Sequence, residues 1–156
     1  MNATDAMRTI KAVEAPAHGR LRLRWSDGTS VELDLSPWLD RPAFASLRNP
    51  EVFARVQIGD WGHSLEWPGG VEAGADSLWL ETLSALKGED ARQFLEWRLK
   101  HGLSLTRAAE ALGLSRRMVA YYSNGEKPVP RTVLLACRGW EVGQRSKGGG
   151  RRASAA

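Results

Sequence analysis

Apolar and polar residues alternate along residues 20–35, RLRLRWSDGTSVELDL. Leu21, Leu23 and Trp25 share one face of a strand, and Val31, Leu33 and Leu35 share one face of its return. Successive side chains of a strand point to opposite faces, so this period of two marks a half-buried sheet. Asp27-Gly28 lies between the runs and predicts a tight hairpin. An earlier strand over residues 10–13 adds to the sheet, and Ser36-Pro37 ends the return strand before a connecting segment opened by Trp38-Leu39. Phe44, Leu47, Val52 and Phe53, broken by Asn49-Pro50, predict a turn and a short helix over the sheet. Residues 56–58 and 64–67 predict a second hairpin around Gly59 to Gly62. Asp76 or Ser77 caps a helix running to about Leu86, with Leu78, Leu83 and Leu86 turned inward. The expectation for residues 1–88 is a small α+β domain, an antiparallel sheet with helices.

After Lys87-Gly88-Glu89 the period becomes helical. Residues 89–101 begin with acids and end with Lys100 and His101, the arrangement a helix dipole favours, and Gly102 is a natural stop. Phe94, Leu95, Arg98 and Leu99 form an apolar stripe with one basic flank. Asn124-Gly125 closes a later helix, and Pro128 and Pro130 hold an extended link. Pro130 then starts a further helix carrying Val133, Leu134, Cys137 and Trp140 inward. Four or five short helices predict an all-α domain over residues 89–145. Residues 146–156, SKGGGRRASAA, lack apolar periodicity and are expected to be disordered.

Residues 105–125, LTRAAEALGLSRRMVAYYSNG, carry the sharpest signal. Ala109 suits a close helix crossing, Gly113 a turn with positive φ, and Val119 the buried side of a second helix. That is the steric skeleton of a helix-turn-helix. Ala108, Leu112, Leu114, Val119 and Tyr122 can face one core, which turns Arg116, Arg117, Ala120 and Tyr121 outward. Adjacent arginines alone would only solvate a helix face; the spacing around them favours contact with DNA. An arginine fork pairs bidentately with guanine O6 and N7, and Tyr121 can meet a thymine methyl or a phosphate.

The run Leu112-Gly113-Leu114-Ser115, then Val119, Asn124-Gly125 and Pro128, resembles the lambda-repressor/Cro (XRE-type) helix-turn-helix family over residues 90–142. The resemblance implies a lambda-repressor-like fold. It places Arg116, Arg117 and Tyr121 at base edges, has Ser115 cap the recognition helix, and puts Lys127 and Arg131 near phosphates. The candidate DNA-contacting set is Thr106, Ser115, Arg116, Arg117, Ala120, Tyr121, Asn124, Lys127 and Arg131. Leu105 stands where that family often has a backbone-contacting glutamine, and Ser123 where it usually has a glutamate.

Residues 8–85 also carry a resemblance. The DGT hairpin, Pro-Trp-Leu, NPEVFARV, LEWPGG and an Asp-Ser-Leu helix resemble a small bacterial domain of unknown function, DUF2442. Some members are followed by an XRE-type helix-turn-helix, and the resemblance implies association with regulatory or toxin–antitoxin-like gene pairs.

Charge divides in the same way. Residues 1–88 hold nine Lys/Arg against twelve Asp/Glu, net −3, and residues 89–156 hold thirteen against six, net +7. The positive field therefore falls on the half expected to bind DNA. His18, His63 and His101 are not spaced as metal ligands, and Cys137 is a lone cysteine; no phosphate loop, nucleophile elbow or catalytic carboxylate pair is present. The reading is not an enzyme, with no cofactor and no metal. No segment approaches the ~20 apolar residues of a membrane span. The polar start, Met1 to Ala12, reads as no secretory signal, and a single cysteine suits a cytoplasmic location.

Five of the seven tryptophans, Trp25, Trp38, Trp61, Trp67 and Trp79, lie in the first half. Most are expected in the core; Trp61, in a loop between glycines, is the candidate surface anchor for a protein partner. The expected function is a sequence-specific, homodimeric DNA-binding transcriptional regulator. Residues 115–124 would enter the major groove, and the first domain would serve dimerisation or partner and effector binding. The alternative is an antitoxin-like interaction module that masks a partner protein and binds DNA only for autoregulation.

Overall fold

A computed structural model describes residues 8–155, with side chains as far as residue 147. The fold is α+β: antiparallel sheets at the N-terminal end are followed by helices. The chain divides into two compact units, Met1–Lys87 and Gly88–Ala156.

The first unit contains two three-stranded antiparallel meanders. Strands β1 (Ile10–Ala17), β2 (Arg20–Trp25) and β3 (Ser30–Asp34) form one, in that order. Strands β4 (Gln57–Ile58), β5 (Ser64–Trp67) and β6 (Val71–Gly74) form the other. Alternation sets the orientation of the first sheet: Leu21, Leu23, Trp25, Val31 and Leu33 are all buried, while the residues between them face out. Its outward face is a ladder of ion pairs, with Arg22 3.1 Å from Glu14 and Arg20 3.4 Å from Glu32. Two 3-10 segments, Ser36–Asp40 and Pro42–Arg48, and a single turn, α1 (Pro50–Phe53), lead to the second sheet. Asn49 starts α1 by accepting a hydrogen bond from the Glu51 N–H at 3.0 Å. Helix α2 (Ala75–Ala85) follows β6 directly and buries Leu78, Trp79 and Leu83; Leu86 lies just past it and is exposed.

Tryptophans organise this core. Trp25 packs edge-on against Trp79, ring centroids 5.0 Å apart, and its indole N–H donates to the Thr82 hydroxyl at 3.1 Å. That hydroxyl in turn donates to the Leu78 carbonyl at 2.9 Å. Trp67 donates to the Phe53 carbonyl at 3.0 Å. The Trp25 and Trp67 indoles thus each bring a large apolar area and satisfy their one donor.

Three features differ from the sequence expectation, the first being Leu86, exposed rather than turned inward. Strand β6 was not predicted: its four residues, VEAG, offer too short an alternation to register. The tight hairpin expected at Asp27-Gly28 forms, a three-residue loop closing with Trp25 N–H to Thr29 O at 2.8 Å. Asp27 organises it, accepting from Thr29 N–H at 3.0 Å and Thr29 Oγ1 at 2.8 Å and pairing with Arg8 at 2.7 Å. The third difference is in the second unit.

That unit contains α3 (Glu89–Lys100), α4 (Leu105–Leu112), α5 (Arg116–Asn124) and α6 (Arg131–Ala155). Its core gathers Phe94, Trp97, Leu105, Ala108, Val119, Tyr122, Val129 and Cys137. Helix α6 is not short, and its backbone continues through residues 146–155, where composition predicted disorder. Extending an existing helix needs no new nucleus, so a low-propensity tail can continue one. Cys137 is buried, and burial, reinforced by the Glu141 carboxylate, pushes its thiol up to about 12; it is a neutral core side chain.

Burial raises the Asp27 carboxyl, but the Thr29 hydrogen bonds and the Arg8 charge outweigh it and hold the group below its ordinary 3.8. A depressed carboxyl contributes stability above the unfolded value and loses it as pH falls through the folded one. Asp27→Asn should therefore melt at a lower temperature than the parent at neutral pH. The difference should shrink below about pH 4, as thermal denaturation across an acid pH series will show.

Candidate nucleic-acid interface

Helices α4 and α5 are joined through Gly113, which sits at φ +69° and ψ +32° and lets Leu114 N–H reach the Ala109 carbonyl at 3.0 Å. A side chain there would meet nothing within 4 Å, so the requirement for glycine is one of backbone conformation alone. Serines begin both helices. Ser104 accepts from Arg107 N–H at 3.1 Å, and Ser115 accepts from Met118 N–H at 3.1 Å. Ala108 and Ala109 are buried, as are Val119 and Tyr122 on α5, and Tyr122 meets Phe94 edge-on at 5.6 Å.

The opposite face of α5 carries an aromatic flanked by cations. Arg117 Nε donates to the Tyr121 hydroxyl at 2.7 Å, one helical turn away, and its guanidinium carbon lies 5.4 Å from that ring. Lys127 Nζ lies 4.6 Å from the same ring. With Nε engaged, Nη1 and Nη2 of Arg117 present the planar edge that bidentate recognition uses. Tyr121 thus restrains Arg117 before any ligand arrives, which lowers the ordering entropy of binding.

Lys127 reaches that ring because the segment after α5 is held in place. Helix α5 ends in a left-handed glycine, Gly125, and Glu126 N–H returns to the Tyr121 carbonyl at 3.0 Å. Val129 is buried, and its N–H donates to the Asp90 carboxylate in the first turn of α3 at 2.7 Å. Sequence reasoning gave Asp90 only a dipole role. Its bond spans 39 residues, a separation no local pattern reveals.

The predicted residues separate into three groups. Arg117, Tyr121 and Lys127 are brought together. Thr106, Ser115 and Arg131 are exposed but contact none of these three, while Asn124, the last residue of α5, is half-buried. Arg116, Ala120 and Tyr121, all read as outward, are half-buried, with Ala120 packed on the core and Arg116 Nε and Nη2 shielded from solvent. Arg116 follows Ser115 at the first helical position, where side chains lean back over the preceding turn. Leu105 is buried in the core, which explains an apolar residue at that place.

Arg98, read from sequence as a basic flank, is only 5% exposed. Its Nε donates to the Leu103 carbonyl at 3.0 Å and Nη1 to the Ser123 hydroxyl at 2.8 Å, tying α3 to the inner side of α5. No group of three His, Cys, Asp or Glu that could hold a metal occurs among the described residues. No helix among them is long and apolar enough to cross a membrane.

Residues 10–84 match the family described as "Protein of unknown function (DUF2442)". Among solved structures, the chain is similar to the "Putative DNA Binding Protein NE0471 from Nitrosomonas europaea ATCC 19718". The two are 43% identical over 90% of each chain, with a TM-score of 0.61. No curated protein matches it.

Two variants test the geometry. Gly113→Ala should destabilise the second unit by about 1–2 kcal/mol, the strain of a left-handed alanine. Ser123→Ala, which removes an acceptor from a buried guanidinium, should cost about 1.5–3 kcal/mol. Urea denaturation followed by circular dichroism measures both.

Proposed function

From the DUF2442 match over residues 10–84, the likeness to the Nitrosomonas protein and the cationic face of α5, we propose that the chain is a sequence-specific DNA-binding transcriptional regulator. In this reading α4 and α5 form a helix-turn-helix of the lambda-repressor type, and α5 lies in the major groove. Arg117 reads guanine, Tyr121 holds it in place, Lys127 and Arg131 meet phosphates, and Arg116 contributes from the helix start. The first unit serves dimerisation, since one recognition helix reads few base pairs and two half-sites multiply affinity and specificity. The protein acts in the cytoplasm and catalyses no reaction.

The observation that carries this reading is the Arg117–Tyr121–Lys127 cluster on a helix capped at both ends, in the half of the chain with net charge +7 from thirteen Lys/Arg and six Asp/Glu. The Nitrosomonas neighbour, described as a "Putative DNA Binding Protein", supports DNA as the partner.

The test is fluorescence anisotropy with the DNA upstream of the protein's own gene and a scrambled control. The parent should prefer its own fragment, and Arg116→Ala/Arg117→Ala should bind both fragments alike while remaining folded. Tyr121→Phe should retain the preference with affinity lowered about five-fold, close to the ~1 kcal/mol of one hydrogen bond. An unchanged preference in the double variant would sink the assignment. A parent that ignores sequence but co-purifies with a stoichiometric protein would favour the antitoxin-like module.

A further inference from the structure

The first unit displays an exposed indole and a cavity at opposite ends of the same β4–β5 hairpin. Trp61 lies in the 3-10 turn Asp60–Gly62 that joins the two strands, and it is 89% exposed. Trp25, Trp38, Trp67 and Trp79 of the same unit are buried. Its backbone stands at φ +59° and ψ +15°, a region a bulky residue occupies only when its surroundings impose it.

Those surroundings are tightly built. Gly59 N–H donates to Ser64 O at 2.8 Å, Gly62 N–H to Gly59 O at 3.1 Å and Ala75 N–H to His63 O at 2.8 Å. A Cβ at Gly62 would stand 2.6 Å from the Ile10 carbonyl oxygen, so the turn is seated directly on the main chain at the start of β1. The indole is held out on a fixed base.

At the other end, Ala54, Arg55, Gln57, Glu66, Trp67 and Pro68 line a cavity of about 520 Å³. Gln57 opposes Glu66 in the β4–β5 register, which places the cavity at the base of the hairpin whose tip is Trp61.

We propose that Trp61 of one copy seats in this cavity of a second copy, and reciprocally, so that the hairpins form a two-fold dimer interface. Two hairpins laid side by side in opposite directions bring each tip to the other's base, the self-complementary arrangement a two-fold axis requires. The chemistry matches an indole. Glu66 offers an acceptor for its N–H, Arg55 a cation for its face, and Pro68 and Ala54 exposed apolar surface. An aromatic side chain buries about 150–250 Å², so two of them and the walls receiving them remove roughly 600–1,000 Å². That is below the ~1,200 Å² of a stable complex, so the dimer is weak in free solution. Adjacent half-sites on DNA complete it by holding two chains at high effective concentration. Only this last step rests on the DNA-binding reading.

The test is sedimentation of the full chain without DNA, over a concentration series into the high micromolar range. The parent should associate reversibly to a dimer. Trp61→Ala, which removes the indole, and Ala54→Trp, which fills the exposed rim of the cavity, should each weaken association at least ten-fold while retaining the parent's circular dichroism. An equimolar mixture of the two variants should associate more than either alone, because one supplies the open cavity and the other the indole. A parent that stays monomeric, variants that dimerise like the parent, or a mixture no more associated than its components overturns the proposal. A monomeric parent that instead captures one unrelated protein through Trp61 overturns it too. Arg116→Ala/Arg117→Ala should dimerise like the parent, which separates failure of this interface from failure of DNA reading.

Discussion

A guanidinium buried behind α5 sets the orientation of the face that helix presents. Arg98 cannot shed its charge, and a buried charge is tolerated only when its donors are met. Its partners are the Leu103 carbonyl and the Ser123 hydroxyl, at 3.0 and 2.8 Å, and Ser123 passes its own proton to the Val119 carbonyl at 2.8 Å. Rotating α5 would break the bond between that guanidinium and Ser123. With Ser123 and Val119 held inward, Arg117 and Tyr121 are outward by helical geometry, one turn apart on the other face. On the far side of the unit, Asp90 fastens Val129 and so the segment that brings Lys127 over Tyr121. That face is thus fixed by polar anchors, Arg98 and Ser123 buried and Asp90 half-buried.

The two units use their residues differently. In the first, apolar alternation and four buried tryptophans build the core, and the charges on the outer face of the first sheet largely pair with one another. In the second, small residues on α4, Ala108 and Ala109, let the helices approach, and two cations, Arg117 and Lys127, flank one tyrosine. Trp61 stands apart from both patterns as a large apolar side chain exposed on a backbone conformation that disfavours it.

Local patterns made much of this legible in the sequence. The alternation of residues 20–35 places the buried faces of β2 and β3, and Gly113 with its neighbours places the turn before α5. Trp61 stood out because it is a tryptophan flanked by turn glycines. What was not legible depends on distance or depth. The roles of Asp90 and Arg98 come from partners 39 and 25 residues away, which no periodicity encodes. Arg116 lies two helical turns before the buried Ser123, on the same side of α5, so part of its guanidinium is shielded although it was read as outward. Strand β6 is a four-residue element defined by its pairing with β5 rather than by its own pattern. The cavity at Ala54 and Glu66 exists only once β4 and β5 pair.

The measurement closest to the central claim is methylation interference on the DNA the protein selects from a random pool. Methylating guanine N7 removes an acceptor in the major groove and leaves the minor-groove edge unchanged. Reading by α5 predicts that methylation at one or two guanines per half-site blocks the parent, and that Arg117→Ala loses its sensitivity there. A protein that binds fully methylated DNA as well as unmodified DNA, or that selects no sequence, would contradict the account.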